Sequence, residues 1–319
     1  MKFLRPIAAA LEFLGRHGTL MVALSIFVGL LVPQLASGFK PLLGEAIFIM
    51  LCLAFLRVDT GELRALFVRP GLVLAASAWV MLATPIVLGT LFRAVSVDKA
   101  APGLFFILIL QMSAPGLMSS PALAALMGLD VALTLASLVV CAAATPITAT
   151  FFTHHFLGTA VISPVSFGFM LFVYIAGSAL VAAVIRRLGG KARVEAQHAH
   201  IDGLSVIAMF VFAVAAMDGV SAHFLADPFE VTKLAALAFG LSLALIALTT
   251  VIFLPAGRAR AFAIGLIAGN RNLGLMLAGT GFVAPDVAWL YFGLAQIPIY
   301  LLPQLLKPLA KRLQQTANG

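Results

Sequence analysis

Residues 265–274 read Gly265-Leu-Ile-Ala-Gly269-Asn-Arg-Asn-Leu-Gly274. Three glycines and three strongly polar residues sit at the centre of an otherwise apolar stretch at 261–284. About 20 apolar residues suffice to cross a bilayer as a helix, and a helix satisfies its own backbone there. Glycine density weakens such a helix. Arg271 lies 11 residues past Arg260, roughly 16 Å along a helix at about 1.5 Å per residue, which places it near the bilayer centre. An arginine there costs at least about 2.5 kcal/mol and cannot escape by losing its proton. It needs a partner or water.

Working outward, nine further apolar stretches fill the chain: 18–35, 41–56, 70–92, 101–127, 131–153, 164–185, 203–217, 231–254 and 287–306. The chain is 62% hydrophobic and 10% charged over 319 residues, too apolar for a soluble single domain. The fourth span is interrupted like the ninth. It reads Gln111-Met-Ser-Ala-Pro-Gly-Leu-Met-Ser-Ser-Pro121. Pro115 and Pro121 remove backbone donors, Gly116 tolerates unusual dihedrals, and Ser113, Ser119 and Ser120 add hydroxyls. The residues Pro115, Gly116 and Pro121, with Gly265, Gly269 and Gly274, are the expected helix breaks. An unwound backbone in lipid survives only inside protein or beside a watery cavity. Two broken helices at matching positions predict a midplane site where they cross.

Fifteen lysines and arginines fall on one side of the ten spans and four on the other, with Arg271 inside span 9. By the positive-inside rule both termini face the cytoplasm, and the expected location is a bacterial inner membrane. The same bias explains the net charge of +8: the cations are scattered anchors in five short segments, and no nucleic-acid partner is expected. Residues 1–17 lack the pattern of a cleaved signal, and Phe3 to Arg16 read as an interfacial lead-in to span 1. On this reading residues 1–188 hold the first five-helix repeat plus span 6, which opens the second. Residues 189–202 form a basic cytoplasmic loop, and 203–319 hold spans 7–10 and a tail, all within a single membrane domain. Five spans per half is odd, so halves of one fold would be inverted, a common build for secondary transporters. The fold class expected is an all-α integral membrane protein of ten helices in two inverted five-helix repeats, with broken, crossing helices 4 and 9.

Several polar residues have two readings. Arg271 either ion-pairs, with Glu45 in span 2 as the plausible carboxylate and Asp130 a weaker one, or meets an anionic substrate. Glu45 reads as a proton carrier or as an acid at headgroup level. Gln111 and Gln296 either face a cavity or bond between helices. Asn270 and Asn272 either cap the half-helices or touch substrate. His154, His155, His198 and His200 lack companions for a metal site, and Cys52 and Cys141 read as buried thiols. No intramembrane protease motif is present, no strand precedes a Gly-rich turn, and no enzyme is expected. Neither cofactor nor protein partner is implied beyond the lipid bilayer.

The stretch Ala114-Pro-Gly-Leu-Met-Ser-Ser120, with Gly128-Leu-Asp-Val-Ala-Leu-Thr134, resembles the crossover region of the bile acid:sodium symporter family, where a Pro-Gly-Gly-Thr-like break precedes a Ser-Asn pair. Gly269-Asn-Arg-Asn-Leu-Gly-Leu275 is similar to the second crossover element, Glu-Val-Gly-Met-Gln-Asn-Ser-Gly-Leu. Leu56-Arg-Val-Asp59 with Arg69-Pro-Gly71 matches the family's basic loop after span 2. The resemblance implies inverted repeats with a panel and a core domain, an alternating-access cycle and organic anion substrates. Laid on that pattern, the sodium-binding Glu falls at Ile267, its partner Gln at Arg271, the Asn of the pair at Pro121, and the span-3 Gln near Val80. Only Ser120, Thr134 and Asn272 match in kind. The expectation is a divergent member that has lost the usual sodium sites, Arg271 supplying the fixed positive charge. It would carry a small organic anion held by Arg271, Asn270, Asn272, Ser119, Ser120, Gln111 and Gln296. The alternatives are a sodium-coupled symporter with altered sites, or a non-transporting sensor or channel.

Overall fold

The computed structural model describes residues 13–14, 18–58, 70–190, 194 and 196–315. The basic lead-in to span 1, Asp59, Arg64, Arg69, Lys191 and Arg193 lie outside the described residues. Every regular element among the described residues is helical and none is a strand. In chain order these are α1 (Gly18–Leu31), α2 (Pro33–Phe39), α3 (Leu43–Arg57), α4 (Pro70–Ala94) and the short α5 (Val97–Ala100). They continue with α6 (Pro102–Ser113), α7 (Ser120–Leu126), α8 (Val131–Leu157), α9 (Pro164–Gly189) and α10 (His198–Ala216). The last five are α11 (Val220–Ala226), α12 (Pro228–Ile252), α13 (Arg258–Gly269), α14 (Leu273–Gly279) and α15 (Asp286–Gln315).

Among the described residues, seven helices are long and apolar enough to cross a membrane: Pro33–Arg57, α4, α8, α9, His198–Ala226, α12 and Asp286–Leu313. The chain is an all-α protein of membrane type. Proline opens α2, α4, α6, α9 and α12, where its missing donor costs nothing and its fixed φ favours the first turn. Inside α8, threonine hydroxyls find acceptors on their own helix, Thr145 donating to Cys141 O (2.7 Å) and Thr153 to Ala149 O (2.8 Å). That leaves no threonine hydroxyl bare on this apolar rod. Helix α10 begins at His198, so the end of the expected 189–202 loop is helical.

The chain forms two compact units, Met1–Val58 with Val173–Thr232, and Asp59–Phe172 with Lys233–Gly319. In the first, α10 packs on α1 and α3. A Cβ at Gly29 would meet Met217 Cβ at 2.8 Å and Val214 O at 2.9 Å, so glycine is what lets those backbones approach. Arg186 closes the end of α3, its Nη2 donating to Leu56 O (2.6 Å) and Val58 O (2.8 Å), two carbonyls that a helix C-terminus leaves unpaired.

In the second unit α8 packs against α4, α6, α7 and the first half of α9. Asp130 caps α8, its carboxylate accepting from Leu133 N (3.0 Å), and it pairs with Arg260 at 3.5 Å. Helix α13 lies flush on α12. A Cβ at Gly265 would meet Ile246 O at 2.7 Å, and one at Gly269 would meet Ser242 O at 2.8 Å. Both glycines are helical, and Gly274 lies within α14. This corrects the expectation that Gly265 and Gly274 break the helix, while Gly269 is the last helical residue before a break. At Gly265 and Gly269 the want of a side chain serves helix-to-helix approach, because backbone carbonyls of the neighbour sit where a Cβ would go.

Candidate functional site

Two helices of the second unit are interrupted, and in the same proportions. α6 and α7 have 12 and 7 residues; so do α13 and α14. The first break follows Ser113, where Ala114 turns extended (φ −71°, ψ 147°). Pro115 has no N–H to offer the preceding turn. The second follows Gly269, where Asn270 is extended (φ −106°, ψ 92°). The two extended segments cross and pair antiparallel at Gly116 and Arg271. Leu117 N donates to Asn270 O (2.8 Å), and Asn272 N donates to Pro115 O (2.9 Å). Donors and acceptors freed by each break are thus satisfied by the other, as a buried backbone requires. The pairing is close: a Cβ at Gly116 would stand 2.5 Å from Ile267 Cγ2.

Arg271 is 1% exposed. Its Nε donates to Ala268 O (2.6 Å) and its Nη2 to Thr84 Oγ1 (2.7 Å). Its Nη1 faces three carbonyls, Ala114 O (2.8 Å), Val80 O (2.9 Å) and Met112 O (3.3 Å). Each acceptor is free for a local reason. Met112 and Ala114 lie at the end of α6, beyond which no helical turn supplies donors. In α4 a π turn covers Trp79–Ala83, and Thr84 N bonds Trp79 O. The next donor in that register would come from Pro85, which has none. Val80 O is therefore left to the Thr84 hydroxyl (2.7 Å) and to Arg271. The guanidinium joins α4 and both broken helices.

No carboxylate pairs with Arg271 among the described residues, and all its hydrogen bonds lie within the second unit. Glu45, the ion-pair partner expected from the sequence, is an exposed residue in the first turn of α3, in the first unit. Asp130, the other candidate, is engaged with Arg260 and the α8 cap. The charge is held by neutral dipoles alone, so the crossing is a centre of positive potential inside a low-dielectric interior. Ile267, at the place where the resembled pattern has a carboxylate, is fully buried among Val80, Met81, Cys141 and Ala268.

The other sequence candidates divide. Asn270 Nδ2 donates to Leu266 O (3.0 Å) and closes α13, while Asn272 Oδ1 accepts from Leu275 N (3.2 Å) and caps α14. Gln111 bonds between helices, its Oε1 accepting from Tyr291 Oη (2.7 Å). Gln296 donates to Phe292 O (3.0 Å) on its own helix. Pro121 sits in the first turn of α7 and Ser119 at its N-cap, making no side-chain cap bond. Thr134 donates to Asp130 O (2.7 Å). Ser113 Oγ, Ser120 Oγ and Asn270 Oδ1 are buried without a hydrogen-bond partner. Thr84, Tyr291 and the carbonyls of Val80, Met112 and Ala114 escaped the sequence reading. Of these only the Thr84-Pro85 pair left a trace, since a proline inside a span always frees a carbonyl one turn back. Neither a family model nor a curated protein matches the chain.

Proposed function

We propose that the chain is a secondary transporter that moves a small organic anion across a membrane by alternating access, without the help of an alkali cation. The carrying observation is a buried guanidinium with no counter-carboxylate among the described residues, set where two broken helices cross. A permanent charge in such a place is functional by default, and its field favours an anion. The matched 12-and-7 interruptions support ten spans in two inverted repeats, with the site near the midplane, both termini cytoplasmic, and the chain resident in a bacterial inner membrane. Arg271 acts through its field, because its donors are turned to protein carbonyls. Ser113, Ser120, Gln111 and Asn270 keep polar atoms free and are the groups left to touch the anion, and the chain is a divergent relative of the bile acid:sodium symporters.

Cation independence rests on two features. The oxygens that converge at the crossing are taken by Arg271, and a cation approaching them meets a like charge. Ile267 offers no ligand. Purified protein in proteoliposomes, assayed for uptake of labelled carboxylates with sodium replaced by choline, tests this. Uptake should persist unchanged. Uptake lost on removing sodium refutes cation independence, and no flux of any carboxylate under an imposed gradient refutes transport.

A further inference from the structure

The groups left unpaired at the crossing are not all of one kind, and their mixture describes a ligand. Asn270 is the informative one. Its Nδ2 is committed to Leu266 O at 3.0 Å, which fixes the orientation of the amide and leaves Oδ1 as the free end. Oδ1 is buried and unpartnered in a residue 1% exposed. A carbonyl oxygen only accepts, so whatever meets it must donate. Capping does not use it, since the backbone N–H of Asn270 (3.1 Å) and its Nδ2 both close α13 on Leu266 O. Arg271 follows in sequence but its donors go to Ala268, Thr84, Ala114, Val80 and Met112.

Around the same crossing are groups that can donate. Ser113 Oγ and Ser120 Oγ, 1% and 3% exposed, have no partner. Gln111 has its Oε1 held by Tyr291, which leaves its Nε2 as a donor with no acceptor among the described residues. The chain path draws these positions together: Ser113 precedes the carbonyl of Ala114 that holds Arg271, Ser120 N donates to Leu117 O, and Leu117 N donates to Asn270 O. Three donor-capable groups and one group that only accepts thus lie on the two segments that make the crossing.

Resting on the anion-transport reading above, we infer that the anion is a hydroxy acid: its carboxylate takes hydrogen bonds from Ser113, Ser120 and Gln111, and its hydroxyl donates to Asn270 Oδ1. A plain carboxylate would leave Asn270 unpaired. An ammonium would also donate, but it would face the fixed charge of Arg271, so an amino acid is disfavoured. A site built around a buried polar group rejects the analogue that lacks the matching hydroxyl far more strongly than an apolar pocket rejects a methylene.

The test uses full-length protein in proteoliposomes and matched acid pairs of rising size: lactate against propionate, 2-hydroxyvalerate against valerate, mandelate against phenylacetate. In at least one pair the hydroxy acid should be taken up with a kcat/KM about 10-fold or more above its partner. Asn270→Ala should bring that ratio near 1 while the deoxy acid is still carried. Ser120→Ala should slow both members together and keep the ratio, which separates recognition of the hydroxyl from loss of fold. Pairs carried equally well by the unaltered protein overturn the hydroxyl assignment and leave anion transport standing, as does a ratio that survives Asn270→Ala. Uptake of alanine in preference to lactate overturns it too. If no member of any pair moves, the anion reading falls and this inference with it.

Discussion

Replacing Arg271 by Met removes the guanidinium while nearly keeping its bulk, and the structure says what that leaves behind. Val80 O retains the Thr84 hydroxyl, and Thr84 retains Val80 as its acceptor. Met112 O, Ala114 O and Ala268 O have no other donor among the described residues. Three orphaned carbonyls at about 1–3 kcal/mol each set a cost of roughly 3–9 kcal/mol. Relief of the buried cation's own desolvation, several kcal/mol, offsets part of it. A net loss of about 3 kcal/mol is expected. For a chain of 319 residues that lowers the midpoint of thermal unfolding by roughly 4–5 °C. Arg271→Lys keeps the charge but offers three donors without the planar fork, so it should fall between Met and the parent. The assay is thermal unfolding of the detergent-purified proteins at equal concentration, followed by intrinsic fluorescence. An Arg271→Met midpoint within about 2 °C of the parent would refute the claim that the guanidinium holds the crossing together.

Gly116→Ala should destabilise by about 1–3 kcal/mol, because its Cβ would stand 2.5 Å from Ile267 Cγ2 in a packed interior; Gly116→Ala with Ile267→Ala should recover part of that loss in the same melts. Gly269→Ala drives a Cβ to 2.8 Å from Ser242 O, a backbone atom that cannot swing aside, so Ile246→Ala should not restore it. Tyr291→Phe removes the donor to Gln111 Oε1 at a cost of about 1–3 kcal/mol, and loosened Gln111 should raise KM for the transported anion more than it lowers kcat. Arg271→Ala vacates a cage of carbonyl oxygens, so sodium or potassium chloride should raise its melting point relative to choline chloride, with no such difference in the parent; equal response of both proteins would count against cation independence.

Much of the site was legible because membrane folding penalises anything unusual. Proline, glycine and charge are rare enough in lipid that Pro115-Gly116 and Asn270-Arg271-Asn272 stand out, and both coincide with real interruptions. Glycine was read less well. Gly265 and Gly269 look like breaks in one dimension, yet their role is set by carbonyls of α12 that approach from elsewhere in the chain. Glycine's two uses, conformational freedom and close approach, leave the same letter in the sequence.

The amino-acid sequence alone determined the class of this protein, the places where two of its helices fail, and the presence of a charge that had to be accommodated. All three follow from local chemistry: apolar length, missing donors, and a guanidinium that stays protonated. Which groups accommodate that charge was decided only by tertiary structure. Its partners are mostly backbone carbonyls, which every residue possesses, so no letter marks them. They became available through a π turn ahead of Pro85 and a helix end after Ser113, and they meet Arg271 because the two breaks cross. A carboxylate partner would have been visible in the sequence; a carbonyl becomes a partner only when the fold strips it of its usual donor.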